Sequence, residues 1–337
     1  MKLRSTLLIL ALAWPGYALA DEPSKQAQSL SPITIYRHGE ADTISLRDNR
    51  LLEARTIDAP SFEQHRDLKD VLTAIAASEV KTLVVFDIDD TILTIPEFFG
   101  SDSWYEWQKT IKPDPQGKLP EGYVPCTFDV LAINQEAARQ NLTQPDATTI
   151  FNSITGDKIM VTSRNPATRG ATERELTVRP PGEVPVELPA HLAPGVEAGW
   201  IYTSTAQEDR VVEVSYHHGI FMVNGTNKGL ALLDLLKRLK KAYGFDPGYR
   251  RVILVDDGEK NHANMGTELA KAGIEFVPVW YTRVEKMKAT AENKQSSAAS
   301  WASLSEFWSQ SFPARYASIK TQKRCHYGGL IRGELQE

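Results

Sequence analysis

Four apolar runs, each giving way at once to polar residues, constrain this chain more than any other feature. They are "TLVVFD" at 82–87, "KIMVTS" at 158–163, "RVILVDD" at 251–257 and "IEFVPVWYT" at 274–282. A strand with one face in water alternates apolar and polar residues, whereas a strand covered on both faces reads as a continuous apolar run. Helical patterns accompany the runs. Leu68, Val71, Leu72 and Ile75 fall on one helical face at i, i+3, i+4, i+7. "KGLALLDLLKRLKKAYG" (228–244) is amphipathic with Gly244 placed to stop it, and "NHANMGTELAKAG" (261–273) ends at Gly273. Buried strands alternating with helices predict an α/β fold built on a parallel sheet.

Two stretches interrupt the alternation. Residues 95–157 are rich in aromatics and prolines, among them Phe98, Phe99, Trp104, Tyr105 and Trp107. A second insertion, about 179–225, opens Pro/Gly-rich and continues into the strand-like "GWIYTST" and "VVEVSYHHGIFMV". Ahead of the domain, 21–60 forms an extension in which "ITIYR", "TISLR" and "LLEARTI" predict short strands. The segment after about 290 is polar, then mildly helical around "WASLSEFW". The expected order is extension 21–60, α/β domain 61–290 and C-terminal segment 291–337.

Residues 1–20 stand apart. Lys2 and Arg4 precede an apolar run at 7–14, Pro15 and Gly16 break it, and Ala18-Leu19-Ala20 has the small-x-small pattern of a cleavage site. A membrane span needs about 20 apolar residues, and this run is less than half that. A cleaved signal peptide is expected, with a periplasmic or secreted mature chain and no membrane anchor after cleavage. The apolar fraction of 42% and charged fraction of 24% suit a globular protein. Net charge is −5, more acidic once Lys2 and Arg4 are lost, and no basic tract argues for nucleic acid. Cys126 and Cys325 are the only cysteines; in an oxidising compartment they pair, or they remain two buried thiols.

In doubly wound sheets, ligands bind beyond the carboxyl ends of the strands. The first run delivers Asp87, Ile88, Asp89, Asp90 and Thr91 there. Residues i and i+2 of an extended segment point the same way, so Asp87 and Asp89 face one pocket. The second run delivers Thr162 and Ser163, the third Asp256 and Asp257, and Lys228 opens a helix between them. Phosphoryl transfer through an aspartyl-phosphate needs such a set. One carboxylate attacks phosphorus, and a second carboxyl protonates the leaving oxygen and later takes a proton from water. Facing anions need a hard divalent cation between them, which predicts Mg²⁺. A lysine and a hydroxyl then hold the remaining phosphate charge.

These segments also resemble a known family. "DIDDT" after an apolar strand looks like motif I of the haloacid dehalogenase (HAD) superfamily. "KIMVTSR" is similar to its motif II, "NKGLALL" to its motif III and "ILVDDGEKN" to its motif IV, all in family order across 82–261. The resemblance implies a HAD-like, Rossmannoid parallel sheet with a small cap inserted at about 95–157. It implies Asp87 as nucleophile and metal ligand. It implies Asp89 as acid/base, with its backbone carbonyl on the metal. Thr162, Ser163 and Lys228 would be phosphate-binding residues, and Asp256 or Asp257 would complete the Mg²⁺ site while the other is set against Lys228. An acid at position 89 is what the phosphatases of the superfamily carry, so the implied substrate is a small phosphomonoester.

Other residues receive plainer expectations. Asp90 reads as an outer partner, Arg164 as a loop residue, and Trp104 and Trp107 as cap core. His262 opens a helix, with Asn261 as its cap or a residue at the rim of the site. His217 and His218 are adjacent on a strand and so diverge, which argues against a shared ion. A rival site exists in "YRHGE", where Arg37 and His38 resemble the start of a histidine phosphatase, but the second-histidine and Arg-Ala signatures of that family are missing from the rest of the chain. A third reading is a secreted HAD-fold binding protein without turnover.

Overall fold

The computed structural model describes residues 62–320, apart from 78, 113–115, 117–121 and 208–209, together with Cys325. The expected signal peptide (1–20), the extension 21–60, and Arg37 and His38 lie outside the described residues.

In chain order the elements begin β1 (Gln64–His65), α1 (Asp70–Ala76), β2 (Thr82–Phe86), β3 (Leu93–Thr94), α2 (Asp102–Thr110) and α3 (Thr127–Ala137). Next come β4 (Asn141–Leu142), α4 (Ala147–Ser153), β5 (Lys158–Thr162) and α5 (Arg169–Thr177). The hairpin strands β6 (Trp200–Gln207) and β7 (Arg210–His217) lead to β8 (Ile220–Met222) and α6 (Lys228–Tyr243). The chain closes with β9 (Arg251–Asp256), α7 (Glu259–Lys271), β10 (Glu275–Tyr281), α8 (Ala291–Ser311) and α9 (Pro313–Lys320).

The main sheet has the order β1-β10-β9-β2-β5-β8-β7-β6. Every pairing from β1 to β8 is parallel, and β7 alone runs against its two neighbours. The fold is therefore α/β with a mostly parallel central sheet flanked by helices. The four apolar runs are β2, β5, β9 and β10.

Alternate residues of the central strands feed two separate cores. Val84, Phe86, Met160, Ile253 and Val255 pack with Leu68 just ahead of α1, Val71 of α1, and Ile150 and Phe151 of α4. Leu83, Val85, Ile159, Val161, Val252 and Leu254 pack with Leu232, Leu235 and Leu239 of α6 and Met265 and Leu269 of α7. Each strand is thus covered on both faces, which is why its sequence does not alternate. α6 starts on Asn227, whose side chain accepts from the backbone N–H of Gly229 and Leu230, and ends on Gly244 at φ +64°.

Two expected boundaries change. α4 falls inside the expected cap (95–157) but belongs to the sheet layers: Phe151 meets Phe86 edge-on with ring centroids 5.1 Å apart. Likewise β6, β7 and β8 fall inside the expected second insertion yet extend the main sheet. What remains of the first insertion has its own small core, where Phe98, Trp104, Val124, Cys126 and Val130 pack with Trp308 and Ile319 from the C-terminal helices. Trp104 is fully buried there and its Nε1 donates to Ser297 Oγ at 2.8 Å. Cys126 and Cys325 are joined in a disulfide, so the insertion and the C-terminal segment are tied together. Among the described residues, no helix is long and apolar enough to cross a membrane.

Candidate active site

Strand register sets the site. Phe86 pairs with Val255 on one side and with Met160 on the other. Asp87 and Asp256 therefore leave the sheet side by side, with Thr162 just beyond them. Lys228, in the first turn of α6, lies between the two carboxylates. Its Nζ is 2.7 Å from Asp87 Oδ1 and 2.6 Å from Asp256 Oδ2, and all three side chains are buried. Asp256 is further held through Oδ1, which accepts from Gly258 N–H and Asn261 Nδ2, each at 2.8 Å. Asn261 is thus a positioning residue for Asp256. His262 does sit in the first turn of a helix, and its ring contacts the backbone oxygen of Asp256 at 2.9 Å from full burial.

The charges shift accordingly. Burial raises the Asp87 carboxyl well above its usual range; Lys228 opposes this, and Asp256, Asp257 and Asp89 reinforce it. Burial works against the Lys228 ammonium, but Asp256 and Asp87 overcome it and raise its pKa. Burial also lowers the His262 pKa, against the pull of Asp256.

Asp89 faces a different partner. Arg164 grips it with both arms of the guanidinium, Nε to Oδ2 at 2.9 Å and Nη2 to Oδ1 at 2.7 Å. Arg164 lies in the loop after β5, as expected, but it is buried rather than solvent-facing. Its side chain is 2% exposed, Nη1 donates to Thr172 Oγ1 at 3.0 Å and Nη2 to Gln140 Oε1 at 2.8 Å. Alternation past β5 explains it: Thr162 and Arg164 are buried while Ser163 between them is exposed. Thr162 Oγ1 accepts from the Arg164 backbone N–H at 3.2 Å. Burial pushes the Asp89 carboxyl up, but the Arg164 charge and hydrogen bonds outweigh it and hold the group below its usual range.

A second lysine, which no motif in the sequence marks, completes the site. Lys286 comes after β10, and its Nζ reaches Asp90 Oδ2 at 2.9 Å, Asp102 Oδ2 at 3.0 Å and Asp257 Oδ2. Asp90 adopts φ +54°, a conformation that a short polar side chain tolerates, and also accepts from Thr94 Oγ1 at 2.7 Å. Burial lifts Asp257 to about 7, with Lys286 opposing and Asp256 adding to the rise.

Carboxylate oxygens of Asp87, Asp256 and Asp257 lie within 4.8 Å of one another. The Asp89 carboxylate is turned to Arg164, outside that set. Away from these residues, a cavity of about 420 Å³ in the seam between insertion and C-terminal helices is lined by Pro125, Trp301, Ala302, Ser305, Tyr316 and Ile319. Its lining is mostly apolar and shares no residue with the carboxylate cluster.

A family model described as "Protein of unknown function (DUF2608)" matches residues 64–314. The chain belongs to this family. The DUF2608 match runs from β1 through all but the end of the C-terminal helices and includes every residue of the carboxylate cluster. No curated protein matches the sequence.

Proposed function

We propose that the chain is a Mg²⁺-dependent phosphohydrolase of the HAD superfamily that cleaves a small phosphomonoester through a phosphorylated Asp87. The observation that carries this reading is the buried Asp87–Lys228–Asp256 arrangement at the carboxyl edge of a parallel sheet, with Asp257 and Asp89 beside it. Structural ion pairs of this depth are costly to bury, and a sheet-edge set with opposed pKa shifts is what acid–base and nucleophilic chemistry requires.

The donor set fits the cation. Asp87, Asp256 and Asp257 offer only carboxylate oxygens, the preference of a hard ion such as Mg²⁺. Asp256 already accepts from Lys228, Gly258 and Asn261, whereas Asp257 meets Lys286, which leaves Asp257 the freer donor. Bound there, the ion would neutralise the facing carboxylates and the phosphate oxygens. Asp87 attacks phosphorus, forming an O–P bond as the ester oxygen departs with a proton from Asp89. Asp89 then removes a proton from water, water oxygen bonds to phosphorus, and the Asp87–phosphorus bond breaks. Lys228 and Thr162 would hold the remaining phosphate charge. The residue 1–20 pattern adds that this chemistry takes place in the periplasm or outside the cell.

One observation favours a second reading, a phosphoester-binding protein without turnover. Arg164 holds Asp89 ionised, and an ionised carboxylate has no proton to give. Turnover requires protonation of Asp89 at acid pH, or transfer of the guanidinium to the substrate's phosphate oxygens.

Phosphate release from a panel of phosphomonoesters, with purified mature chain and Mg²⁺, tests the proposal. Hydrolysis should stop with chelator and with Asp87→Asn. Activity that survives Asp87→Asn but not His38→Ala would overturn it in favour of the histidine mechanism. Binding of phosphoester without release, with any divalent ion, would favour the second reading.

A further inference from the structure

Adjacent strand residues point to opposite faces, and on that ground His217 and His218 should not share an ion. The extended geometry stops too soon for that to hold. β7 closes at His217, and His218 turns into the left-handed region at φ +46° before Gly219, at φ +65°, leads into β8. Such a φ is uncommon for a residue with a side chain. It brings His218 back beside His217, with ring centroids 3.5 Å apart and planes 34° from parallel. Both Nδ1 atoms then face one carboxylate: His217 lies 3.8 Å and His218 3.9 Å from Glu173 Oε1 on α5.

We propose that Glu173, His217 and His218 form a binding site for a borderline divalent transition ion of the Zn²⁺, Ni²⁺ or Cu²⁺ class, separate from the carboxylate cluster. Their three donor atoms lie within 4.8 Å of one another. Two imidazoles and one carboxylate suit this class rather than Mg²⁺ or Ca²⁺, and three protein ligands leave a coordination position for water or an incoming group.

The surroundings hold the donors in place. Arg169, on the same helix as Glu173, donates to Glu173 Oε1 at 3.1 Å. The same guanidinium donates to the backbone oxygens of Ser215 at 2.8 Å, His217 at 3.3 Å and Ile220 at 3.1 Å, pinning the turn. Its positive charge weakens the site, while its hydrogen bond fixes the carboxylate, as outer partners of metal ligands do. The His217 ring packs against Gly199, where a Cβ would come within 2.6 Å of its Cδ2. Gly219 sits equally close on Pro189, where a Cβ would fall 2.4 Å from the proline Cβ. His218 is half exposed, so an ion has access.

Topology separates this site from Asp87. The turn precedes β8, and Gly219 O accepts from Met160 N–H at 2.8 Å, near the start of β5. That is the amino edge of the parallel strands, and the carboxylate cluster lies at their carboxyl edge.

Calorimetric titration of the tag-free chain with Zn²⁺, in excess Mg²⁺ to occupy the carboxylate site, is the test. One equivalent should bind. His218→Gly suits the positive φ, so it should keep the unfolding temperature of the metal-free protein while weakening Zn²⁺ roughly tenfold or more. Glu173→Gln should weaken it likewise, and Asp87→Asn should leave it unchanged. Cu²⁺ bound to the chain should show electron-spin coupling to imidazole nitrogen that diminishes in His218→Gly. Absence of Zn²⁺, Ni²⁺ and Cu²⁺ binding, or binding that both variants leave intact, would overturn the site.

Discussion

Two lysines hold the carboxylates at the carboxyl edge of the sheet, and they do so at different depths. Lys228 is 1% exposed and lies between Asp87 and Asp256, both deep in the fold. Lys286 is 46% exposed and gathers Asp90, Asp102 and Asp257 from three separate chain segments. A buried charge depends on its partners for its existence, because removing one leaves the others uncompensated in a poor solvent for ions. A half-exposed one keeps much of its own hydration, so its removal costs less, even though Asp90 and Asp257 are themselves 11% and 14% exposed. Lys228 is therefore part of what makes the site fold. Lys286 decides which segments meet over it, since Asp102 belongs to the insertion while Asp90 and Asp257 belong to the sheet.

If depth separates the two, Lys228→Met should cost about 3–5 kcal/mol of unfolding free energy, measured in denaturant, and abolish phosphate release. A loss below ~1 kcal/mol would erase the distinction. Removing the covalent tie, as Cys126→Ser with Cys325→Ser, should cost about 2–4 kcal/mol. Hydrogen exchange should locate the loosening in α2, α3 and α8, and uniform loosening of the β-sheet would speak against a separate insertion core. Arg164→Met acts on charge instead. Arg164 depresses the Asp89 pKa, and in the proposed mechanism the acid step needs Asp89 protonated, so activity should fall as pH rises through that pKa. Without the guanidinium that pKa rises, and the alkaline limb of kcat should move to higher pH. An unmoved limb would show that Asp89 is not the acid. Lys286→Met should have the smallest effect on stability, within about 1 kcal/mol. It should instead speed proteolysis within α2, and a protease-resistant insertion would remove Lys286 from its linking role.

The sheet is legible in the sequence because burial on both faces writes itself into a strand as an apolar run, as in β2, β5 and β9, while β10 is apolar in sequence but only partly buried. The meeting of Asp87, Asp256 and Lys228 comes from where those runs end. Arg164 is not legible, since its orientation depends on Gln140 and Thr172 from other elements, and nothing in "TSRNP" distinguishes a gripping arginine from an exposed one. Lys286 lies in a polar stretch with no periodicity, and only the path of the chain after β10 brings it back over Asp257. The expected cap takes in α4 because seven residues are too few to show a helical face. His218 breaks the strand rule through a single backbone angle, which a residue pattern does not encode.

The disulfide bears on where this protein can be cut. Cys325 lies outside the family-matched stretch, which stops at residue 314, while its partner Cys126 lies inside. A shortened version ending at the family boundary would keep Cys126 but lose its mate. It would present an odd thiol in the insertion's small core, and would lose α9, which supplies Ile319 to that core. Such a fragment is expected to crosslink with itself through Cys126 in air, so the useful recombinant boundary is past Cys325.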